Sequence, residues 1–570
     1  MFWRDLVTAL VRWRAQSWFR RFDQATSDLR QVQERVLLAK VARNADSDFG
    51  RQHDFAHIDS VEDFRRRVPV CDYEYLRPYI DLVRDGQPNA LFGPDEQVLM
   101  FALTSGTTDE PKHIPITRSF LEEYRAGWHI WGWGVYRDHR LAFEGSLLNI
   151  VSQLDENRTA CGIPCGAVSG LMAQMQPLIV RGFYAIPAIV NCVQEPESKY
   201  YLTLRLCLTR NVTFCCTPNP STLLRLSEIG NERAEDLIRD IEQGGLSERC
   251  SVPGPVRDRL RRRLRPRPRR ARRLAQLLHR RGRLLPRDYW PGLQVLAVWK
   301  GGTVSLYLPR LAEAFGPVPT RDIGLIASEG RMSIPLSNEG SAGVLDLLHQ
   351  FFEFIPEGEA DSPHPHTLLP HQVQVGGRYY LVMTTSGGCY RYHITDHVQV
   401  VDRYRETPVI EFLNKGEHIS SLTGEKLTEN QVVRALQVMQ QRLGLPPTEQ
   451  VTLTPVWADP PYYALLVADG SMSPTCLATL LAGLERELCL SNVEYAQKRK
   501  SGRLGPPRLR VVRSRQFAAV LNERPSRLRT PEQQKHVFLV PDVDYHQRFE
   551  AVQELTCVAE SGSPEGGVEA

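Results

Sequence analysis

The chain has 570 residues, of which 42% are hydrophobic and 24% are charged, an ordinary composition for a globular protein. This length exceeds what one hydrophobic core supports, so we expect two or more domains. The formal net charge of +4 is too small to indicate general binding to nucleic acid or membranes, and no apolar run reaches the roughly 18 residues that a membrane span needs.

The first 95 residues are predicted to be mostly helical. The opening stretch "MFWRDLVTALVRWRAQSWFRRF" places Trp3, Leu6, Leu10 and Trp13 near one helical face. Such a helix either packs on the domain, which we favour, or lies on a membrane surface. Further on, Ser60 is predicted to cap a helix in "SVEDFRRRVPV".

A hydroxyl-rich loop follows the predicted strand "QVLMFAL" and precedes a predicted helix that opens at Thr117. The loop reads "TSGTTDEPK", residues 104–112. Its hydroxyl and backbone N–H groups can surround phosphate oxygens, its glycine permits close approach, and its lysine adds a positive charge. The acidic pair Asp109 and Glu110 is unexpected in a phosphate site, and composition alone fits a polar surface turn equally well.

The middle of the chain alternates short apolar runs with helical patterns, which predicts an α/β core with a largely parallel sheet. The predicted strands are "SLLNIVS", "VTFCC", "LQVLAVW" and "DIGLIA". Residues 257–283, "RDRLRRRLRPRPRRARRLAQLLHRRGR", are strongly basic and could bind nucleic acid. We favour a solvated helix pair, because leucines are interleaved and no aromatic residue is present for base stacking.

Two acidic residues stand out near predicted strand ends. Glu329, in "IASEGR", suits Mg²⁺ or a ligand hydroxyl, although a lone Glu is more often loop surface. Asp396, in "YRYHITDH", could hold the ribose hydroxyls of a nucleotide, although a turn Asp is common.

The C-terminal part has a different pattern. Strands after about 370 follow in close succession, as in an antiparallel or barrel-like element, and a hinge is predicted near 413–416. The expected domains are residues 1–413, a small α+β domain at 414–547, and a disordered tail at 548–570. The 12 cysteines are scattered without paired CxxC knuckles, so we expect free thiols in a reducing cytoplasm.

Together, the loop at 104–112, Glu329 and Asp396 make the chain resemble the adenylate-forming superfamily of acyl ligases. Within it, the chain is most similar to the plant Gretchen Hagen acyl-acid–amido synthetases and their bacterial relatives. The resemblance covers roughly residues 15 to 540 and includes "WPGLQVLAVWKGG", "FFEFIPEGE" and "GEKLTEN". It implies an adenylate-forming-enzyme fold: a large N-terminal α/β domain with a β-barrel-like element, and a small mobile C-terminal α+β domain.

The resemblance also implies a two-step reaction. ATP, with Mg²⁺, adenylates a small carboxylic acid, and an amino acid or other amine then takes the acyl group to form an amide. The enzyme would be a monomer. It would have no nucleic-acid partner, because the family has a helical element where the arginine-rich segment lies, and this element is ordinary scaffold.

The site residues that the resemblance implies fall into phosphate, metal, ribose, adenine and hinge groups. The phosphates would be held by Thr104, Ser105, Gly106, Thr107, Thr108 and Lys112, with Ser328 near the α-phosphate. Glu329 would bind Mg²⁺, Asp396 the ribose, and Gly301 and Gly302 would border the adenine. Leu325 stands where the family often has an adenine-stacking tyrosine. Lys415 lies in the hinge, next to Asn414 at the position of the family's hinge arginine, and Arg529 replaces the catalytic lysine of the C-terminal domain.

Further departures occur at Asp109, His393, Thr395 and Asn414, where the family has glycine, arginine, glycine and arginine. Three functions therefore stay open: an amide-forming ligase, which we favour; a ligase with a thiol acceptor such as coenzyme A; and a degenerate member that binds acid or nucleotide without turnover.

Overall fold

The computed structural model describes residues 2–104, 112–151, 157–175, 178–359, 362, 364–415, 419–443, 451–470, 472–522 and 538–557. These residues form two compact units, one covering the described residues up to 415 and the other those from 419 onwards. None of the described helices is both long and apolar enough to cross a membrane. All twelve cysteines are free thiols.

The helices of the first unit surround its sheets. They are α1 (Phe2–Ala25), α2 (Leu29–Arg43), α3 (Asp48–Gln52), α4 (Val61–Arg67), α5 (Tyr73–Arg84), α6 (Arg118–Asp138), α7 (Val168–Gln174), α8 (Leu178–Arg181), α9 (Pro196–Cys207), α10 (Pro220–Glu232), α11 (Ala234–Gln243), α12 (Gly254–Leu260), α13 (Pro268–Arg281), α14 (Pro286–Tyr289) and α15 (Leu308–Phe315). The predicted cap at Ser60 is confirmed, because its hydroxyl accepts from the Asp63 N–H. The helix predicted to open at Thr117 is also confirmed, and the Thr117 hydroxyl caps it by accepting from the Phe120 N–H.

The strands of the first unit are β1 (Val98–Thr104), β2 (Lys112–Thr117), β3 (Ser146–Asn149), β4 (Asn157–Arg158), β5 (Pro164–Gly166), β6 (Val212–Cys216), β7 (Val295–Val298), β8 (Thr320–Asp322), β9 (Ser333–Ile334), β10 (Gly343–Leu345), β11 (Phe351–Pro356), β12 (Arg378–Thr384), β13 (Tyr392–Tyr404) and β14 (Thr407–Lys415).

Three sheets arise from these strands. The order β3-β6-β7-β8 is parallel throughout, as the alternation of strands and helices predicts. The order β11-β12-β13-β14-β10-β9 is antiparallel, which agrees with the close succession of strands after 370. A third sheet has the order β2-β1-β5-β4.

The N-terminal helix α1 contacts α6. Ala15 and Phe22 are buried, and Phe22 belongs to a core shared with α6 and the parallel sheet. Leu10 and Trp13 of the predicted face, by contrast, are more than half exposed. The packed interpretation therefore holds from Ala15 onwards but not at Leu10 and Trp13, while the side chains of Trp3 and Leu6 lie outside the described part of the helix.

The prediction of a strand over "DIGLIA" is wrong. Strand β8 ends at Asp322, and the next residues leave the sheet. Gly324 adopts φ +91°, a conformation that favours glycine, and a Cβ there would lie 2.3 Å from the Ser333 carbonyl oxygen. An apolar run alone could not reveal this turn.

The second unit is an α+β structure. Its strands are β15 (Ile419–Ser420), β16 (Leu427–Thr428), β17 (Val451–Val456), β18 (Tyr462–Ala468), β19 (Arg508–Val512) and β20 (Ala551–Thr556), and its helices are α16 (Glu429–Leu443), α17 (Pro474–Ser491), α18 (Val493–Lys500) and α19 (Ser514–Asn522). The four longer strands form the sheet β17-β18-β19-β20.

Strand β20 corrects the expectation of a disordered tail from 548 onwards. Residues 551–556 pair antiparallel with β19. The tail composition that suggested disorder is concentrated in "AESGSPEGGVEA", which begins at 559. Residues 558–570 lie outside the described residues.

Candidate functional site

The candidate site lies at the carboxyl ends of the parallel strands, where ligands bind in open α/β sheets. Gly301 and Gly302 follow β7, and Leu325, Ser328 and Glu329 follow β8. Asp322 joins the two connections, because its carboxylate accepts the N–H groups of Lys300 and Gly324, each at 2.6 Å. Burial raises the pKa of Asp322 to about 6.

Glu329 lies in a tight turn. The backbone groups of Ala327 and Gly330 exchange two hydrogen bonds, of 2.9 and 3.3 Å, around Ser328 and Glu329. Arg331 anchors the far side of the turn: its Nη1 donates to the Ile323 carbonyl at 2.8 Å, and its guanidinium lies 4.5 Å from the centre of a ring of Trp128. The turn thus holds a buried carboxylate on a rigid support.

Lys112 lies beside two tyrosines. Its Nζ is 3.4 Å from the Tyr392 hydroxyl and 5.3 Å from the centre of the Tyr73 ring. The hydroxyl of Tyr73 accepts the backbone N–H of His113 at 2.9 Å. Thr104 pairs with Lys112 across β1 and β2, so the two ends of the hydroxyl-rich loop are adjacent.

Electrostatic effects link Glu329 to the same neighbourhood. The pKa values of Cys389 and Tyr392 are raised, first by burial and then by the negative charge of Glu329. The positive charge of Lys112 opposes this effect on the pKa of Cys389. Lys112 therefore contacts Tyr392, and the opposite charges of Lys112 and Glu329 both act on Cys389.

Asp396 lies nearby on β13, four residues after Tyr392. It is buried and sits opposite Lys415 in the register of β13 and β14. Gly301 faces β14 and the residues just before β10, because a Cβ on it would lie 3.1 Å from Ser341 Cβ and 3.9 Å from the Phe412 carbonyl oxygen. A larger residue at 301 would meet these atoms.

Other predicted residues divide into two groups. Ser105, Gly106, Thr107, Thr108 and Arg529 lie outside the described residues, as does Asp109. Only the backbone is described at Thr104 and Lys415. Leu325 is half-buried and packs against the main hydrophobic core, while its N–H donates to the Ser333 hydroxyl at 3.0 Å.

A network of buried charges supports Tyr392 and was not predictable from the sequence pattern. Arg391, at φ +45°, forms a two-point ion pair with buried Glu353, with N–O distances of 2.8 and 2.9 Å. The same guanidinium donates to the carbonyls of Arg65 and Val68. The cluster "YRY" indicated this region of the chain. Its spacing does not show which residue is the supporting arginine and which is the tyrosine that contacts the site.

No group of three or more His, Cys, Asp or Glu residues suited to a metal occurs among the described residues. A single buried carboxylate fits Mg²⁺ when substrate phosphates supply further oxygens, because Mg²⁺ is commonly held by one or two carboxylates plus phosphates and water.

Comparison with known proteins identifies the family. The model of the GH3 family N-terminal domain matches residues 19–320, that of the GH3 family central domain residues 343–415, and that of the GH3 family C-terminal domain residues 430–544. The chain belongs to the GH3 family.

Relatives of this GH3-family chain include plant amido synthetases. The indole-3-acetic acid-amido synthetase GH3.15 of Arabidopsis thaliana is 24% identical over 530 residues, covering 88% of each chain. The jasmonoyl–L-amino acid synthetase GH3.5 of Oryza sativa subsp. japonica is 24% identical over 543 residues, covering 88% of this chain and 90% of the relative.

A solved structure confirms the expected fold. The structure of the GH3.15 acyl acid amido synthetase matches with a TM-score of 0.65 at 21% identity, covering 95% of this chain and 97% of the other. The same synthetase in complex with 2,4-DB matches with a TM-score of 0.65 at 20% identity.

Proposed function

We propose that this GH3-family chain is an ATP-dependent ligase that adenylates a carboxylic acid and transfers the acyl group to an amine, forming an amide. The observation that carries the proposal is that Lys112 contacts Tyr392, while buried Glu329, which follows the parallel strand β8, acts through its charge on Tyr392 and Cys389. A cation and a buried carboxylate that act on the same residues suit a phosphate–metal site. The amine acceptor, an amino acid, is supported by the printed activities of the plant relatives.

In the first step, a carboxylate oxygen of the acid attacks the α-phosphorus of ATP. The bond to pyrophosphate breaks, and an acyl-adenylate forms. In the second step, the amine nitrogen attacks the acyl carbon, the bond to AMP breaks, and the nitrogen loses a proton. The products are an amide, AMP and pyrophosphate.

We assign the residue roles as follows. Lys112 holds the phosphates and offsets the negative charge that grows on them as pyrophosphate leaves. Tyr392 and Tyr73 hold the Lys112 ammonium in place from two sides. Asp396 accepts hydrogen bonds from the ribose, and Gly301 leaves room for the adenine beside β14.

Glu329 is the residue that would hold Mg²⁺, on the rigid turn that Arg331 anchors. When bound, Mg²⁺ would withdraw charge from the phosphate oxygens. Ser328, the neighbour of Glu329 in that turn, would lie near the α-phosphate. Ser105, Gly106, Thr107, Thr108 and Arg529 keep the roles that the family resemblance implies, as parts of this proposal.

A pyrophosphate-release assay tests the proposal. The protein is incubated with ATP, Mg²⁺ and a panel of aryl and alkyl acids, and amino acids or coenzyme A are then added with an active acid. We expect pyrophosphate release that depends on the acid, and an amide product with an amino acid. A thioester instead of an amide would establish the thiol-acceptor function. Neither pyrophosphate release nor an ATP-induced thermal shift with any acid would contradict both enzyme functions.

We further propose that residues 414–547 act as the small domain of this enzyme, that the enzyme is a monomer, and that it works in the cytoplasm. Twelve free thiols support a reducing compartment. Sedimentation of the purified protein at one molecule of 64.8 kDa would agree with the monomer, and a dimer peak would contradict it.

A further inference from the structure

The arginine-rich segment forms an exposed surface on α12, α13 and the turn between them. Residues 254–283 contain 14 arginines, no lysine and one acidic residue, Asp258. Because the whole chain carries only +4, the rest of it is net acidic. We name the "arginine surface" as the exposed arginines of this segment: Arg259, Arg261, Arg262, Arg263, Arg265, Arg267, Arg269, Arg272, Arg273, Arg280, Arg281 and Arg283.

Few of these charges are neutralised by the protein. Among the described residues, ion pairs of the arginine surface involve only Arg281 with Asp288, at 3.8 Å, and Arg283 with Glu313, at 3.6 Å. A solvated scaffold helix would normally alternate both signs of charge along its exposed face. Here one sign is concentrated, and the two ion pairs at the end of the segment neutralise only a small part of it.

Further positive charges, on Arg210 and Arg270, lie close to the arginine surface. The pKa of Arg263 is lowered by burial and then by the positive charge of Arg210, and the pKa of Arg270 by burial and then by Arg273. Such repulsion opposes folding, because the like charges are held together only in the folded state. A polyanion bound across the surface would relieve it.

The arginine surface lies at the amino ends of the parallel strands. Arg270 donates to the carbonyls of Leu208 and Tyr289, at 2.6 and 2.7 Å, and these residues precede β6 and β7. Glu329 and Gly301, in contrast, follow the carboxyl ends of β8 and β7. A partner on the arginine surface would therefore leave the candidate site open.

The composition of the segment indicates the kind of partner. Most of its large apolar side chains point inward: Val256, Leu260, Leu264 and Leu274 are buried and Leu277 and Leu278 are half-buried, so no fully exposed apolar side chain is available to insert into a bilayer. Guanidinium groups bind phosphate oxygens in pairs, which lysine does not. The absence of aromatic residues argues against base stacking but not against contacts to the phosphate backbone.

We propose that the arginine surface binds the backbone phosphates of a nucleic-acid duplex, without sequence preference. Helix α13 has 14 residues and extends about 21 Å at about 1.5 Å per residue, enough to contact several phosphates. The interaction would locate the protein on a polyanion and is independent of the ligase reaction proposed above.

The test uses the full-length protein and a fluorescein-labelled DNA duplex of mixed sequence. Anisotropy titrations are run between about 50 and about 200 mM KCl, and the logarithm of the association constant is plotted against that of the salt concentration. For five or more phosphate contacts we expect a slope of about −4.5 or steeper. One variant replaces Arg262, Arg265, Arg269 and Arg273 by Gln, and the matched control replaces the exposed Arg35, Arg486, Arg513 and Arg515 by Gln.

The proposal expects the surface variant to bind at least about tenfold more weakly, with a slope shallower by about 3 to 4, and the control to bind like wild type. Thermal unfolding midpoints of all three proteins establish that folding is intact. The proposal would be overturned if the wild-type protein did not bind the duplex, or if the surface variant bound it with the same affinity as wild type. Binding to vesicles containing phosphatidylserine without binding to duplex would also overturn it, because the surface would then be a membrane contact.

Discussion

At the scale of single residues, Lys112 is the side chain on which the proposed chemistry depends most. Its ammonium lies beside Tyr392 and Tyr73, and the charge of Glu329 also acts on Tyr392. A positive charge fixed in this way needs little rearrangement as phosphate charge grows, and preorganised donors of this kind contribute strongly to rate.

Replacing Lys112 by Ala should lower kcat/KM for acid-dependent pyrophosphate release by about 100- to 1000-fold, because a charged donor to the phosphates is lost. The exposed Lys500 replaced by Ala serves as the control and should leave the rate unchanged. A Lys112→Ala enzyme with wild-type kcat/KM would exclude Lys112 from the phosphate site.

Asp109 should affect adenylation in the opposite direction from Lys112, because it brings negative charge to the loop between Thr104 and Lys112. We predict that Asp109→Gly is neutral or raises adenylation, since glycine removes a charge that repels ATP and restores the residue usual in the superfamily. The measurement is acid-dependent pyrophosphate release at limiting ATP. Loss of adenylation would mean that the acidic pair has a role of its own.

At the scale of secondary-structure elements, Asp322 couples the connections after β7 and β8. Burial raises its pKa from 3.8 to about 6. Between about pH 4 and pH 6 the unfolded chain releases this proton while the folded chain retains it. The Asp322 contribution to stability therefore falls as pH rises through this range, by up to about 3 kcal/mol.

The variant Asp322→Asn should remove this dependence. The unfolding midpoint of wild type should decline relative to that of Asp322→Asn as pH increases from about 4 to about 6, and the difference should then level off. Asp402→Asn, at an exposed position, is the control and should track wild type. A constant difference between wild type and Asp322→Asn across the range would contradict the raised pKa.

The ion pair of Arg391 and Glu353 supports the start of β13. Glu353 also accepts from Arg65 and from the Thr367 hydroxyl, so its loss leaves several buried donors without a charged acceptor. Glu353→Ala should lower the free energy of unfolding by about 3–5 kcal/mol, because breaking a buried pair leaves a buried charge uncompensated. Thermal unfolding measures the effect, and Glu74→Ala, which breaks the exposed pair with Arg77, should shift the midpoint little. Equal midpoints for the two variants would refute a supporting role for Glu353.

Sequence patterns predicted the elements where periodicity and caps were strong. Strands such as "VTFCC" and the helix opening at Thr117 lie where expected, because alternation and a capping hydroxyl are local signals. The turn at Gly324 and the strand β20 were missed, because both depend on tertiary partners: the Ser333 carbonyl at 324 and the edge of β19 for β20.

The candidate site was predictable only in part for the same reason. Glu329 and Lys112 belong to motifs with recognisable order, whereas Tyr73 reaches Lys112 from a helix almost 40 residues earlier in the chain. Aromatic residues at helix starts are common, so no spacing marks Tyr73 as a neighbour of the site.

At the scale of the whole molecule, the chain combines two surfaces of different chemistry at opposite ends of one parallel sheet. The carboxyl ends bear the candidate ligase site, and the amino ends bear the arginine surface. The chain belongs to the GH3 family, and its fold matches that of the GH3.15 synthetase structure. The concentration of arginine at the second end lies in residues 254–283.

The central claim is that this protein activates a carboxylic acid with ATP and conjugates it to an amino acid. The most direct measurement mixes the protein with ATP, Mg²⁺, an acid panel and the twenty amino acids, and follows pyrophosphate release together with product masses. We predict pyrophosphate release that requires an acid, and a product whose mass equals acid plus amino acid minus water. Pyrophosphate release without any such amide, or ATP binding without turnover for every acid, would contradict the claim.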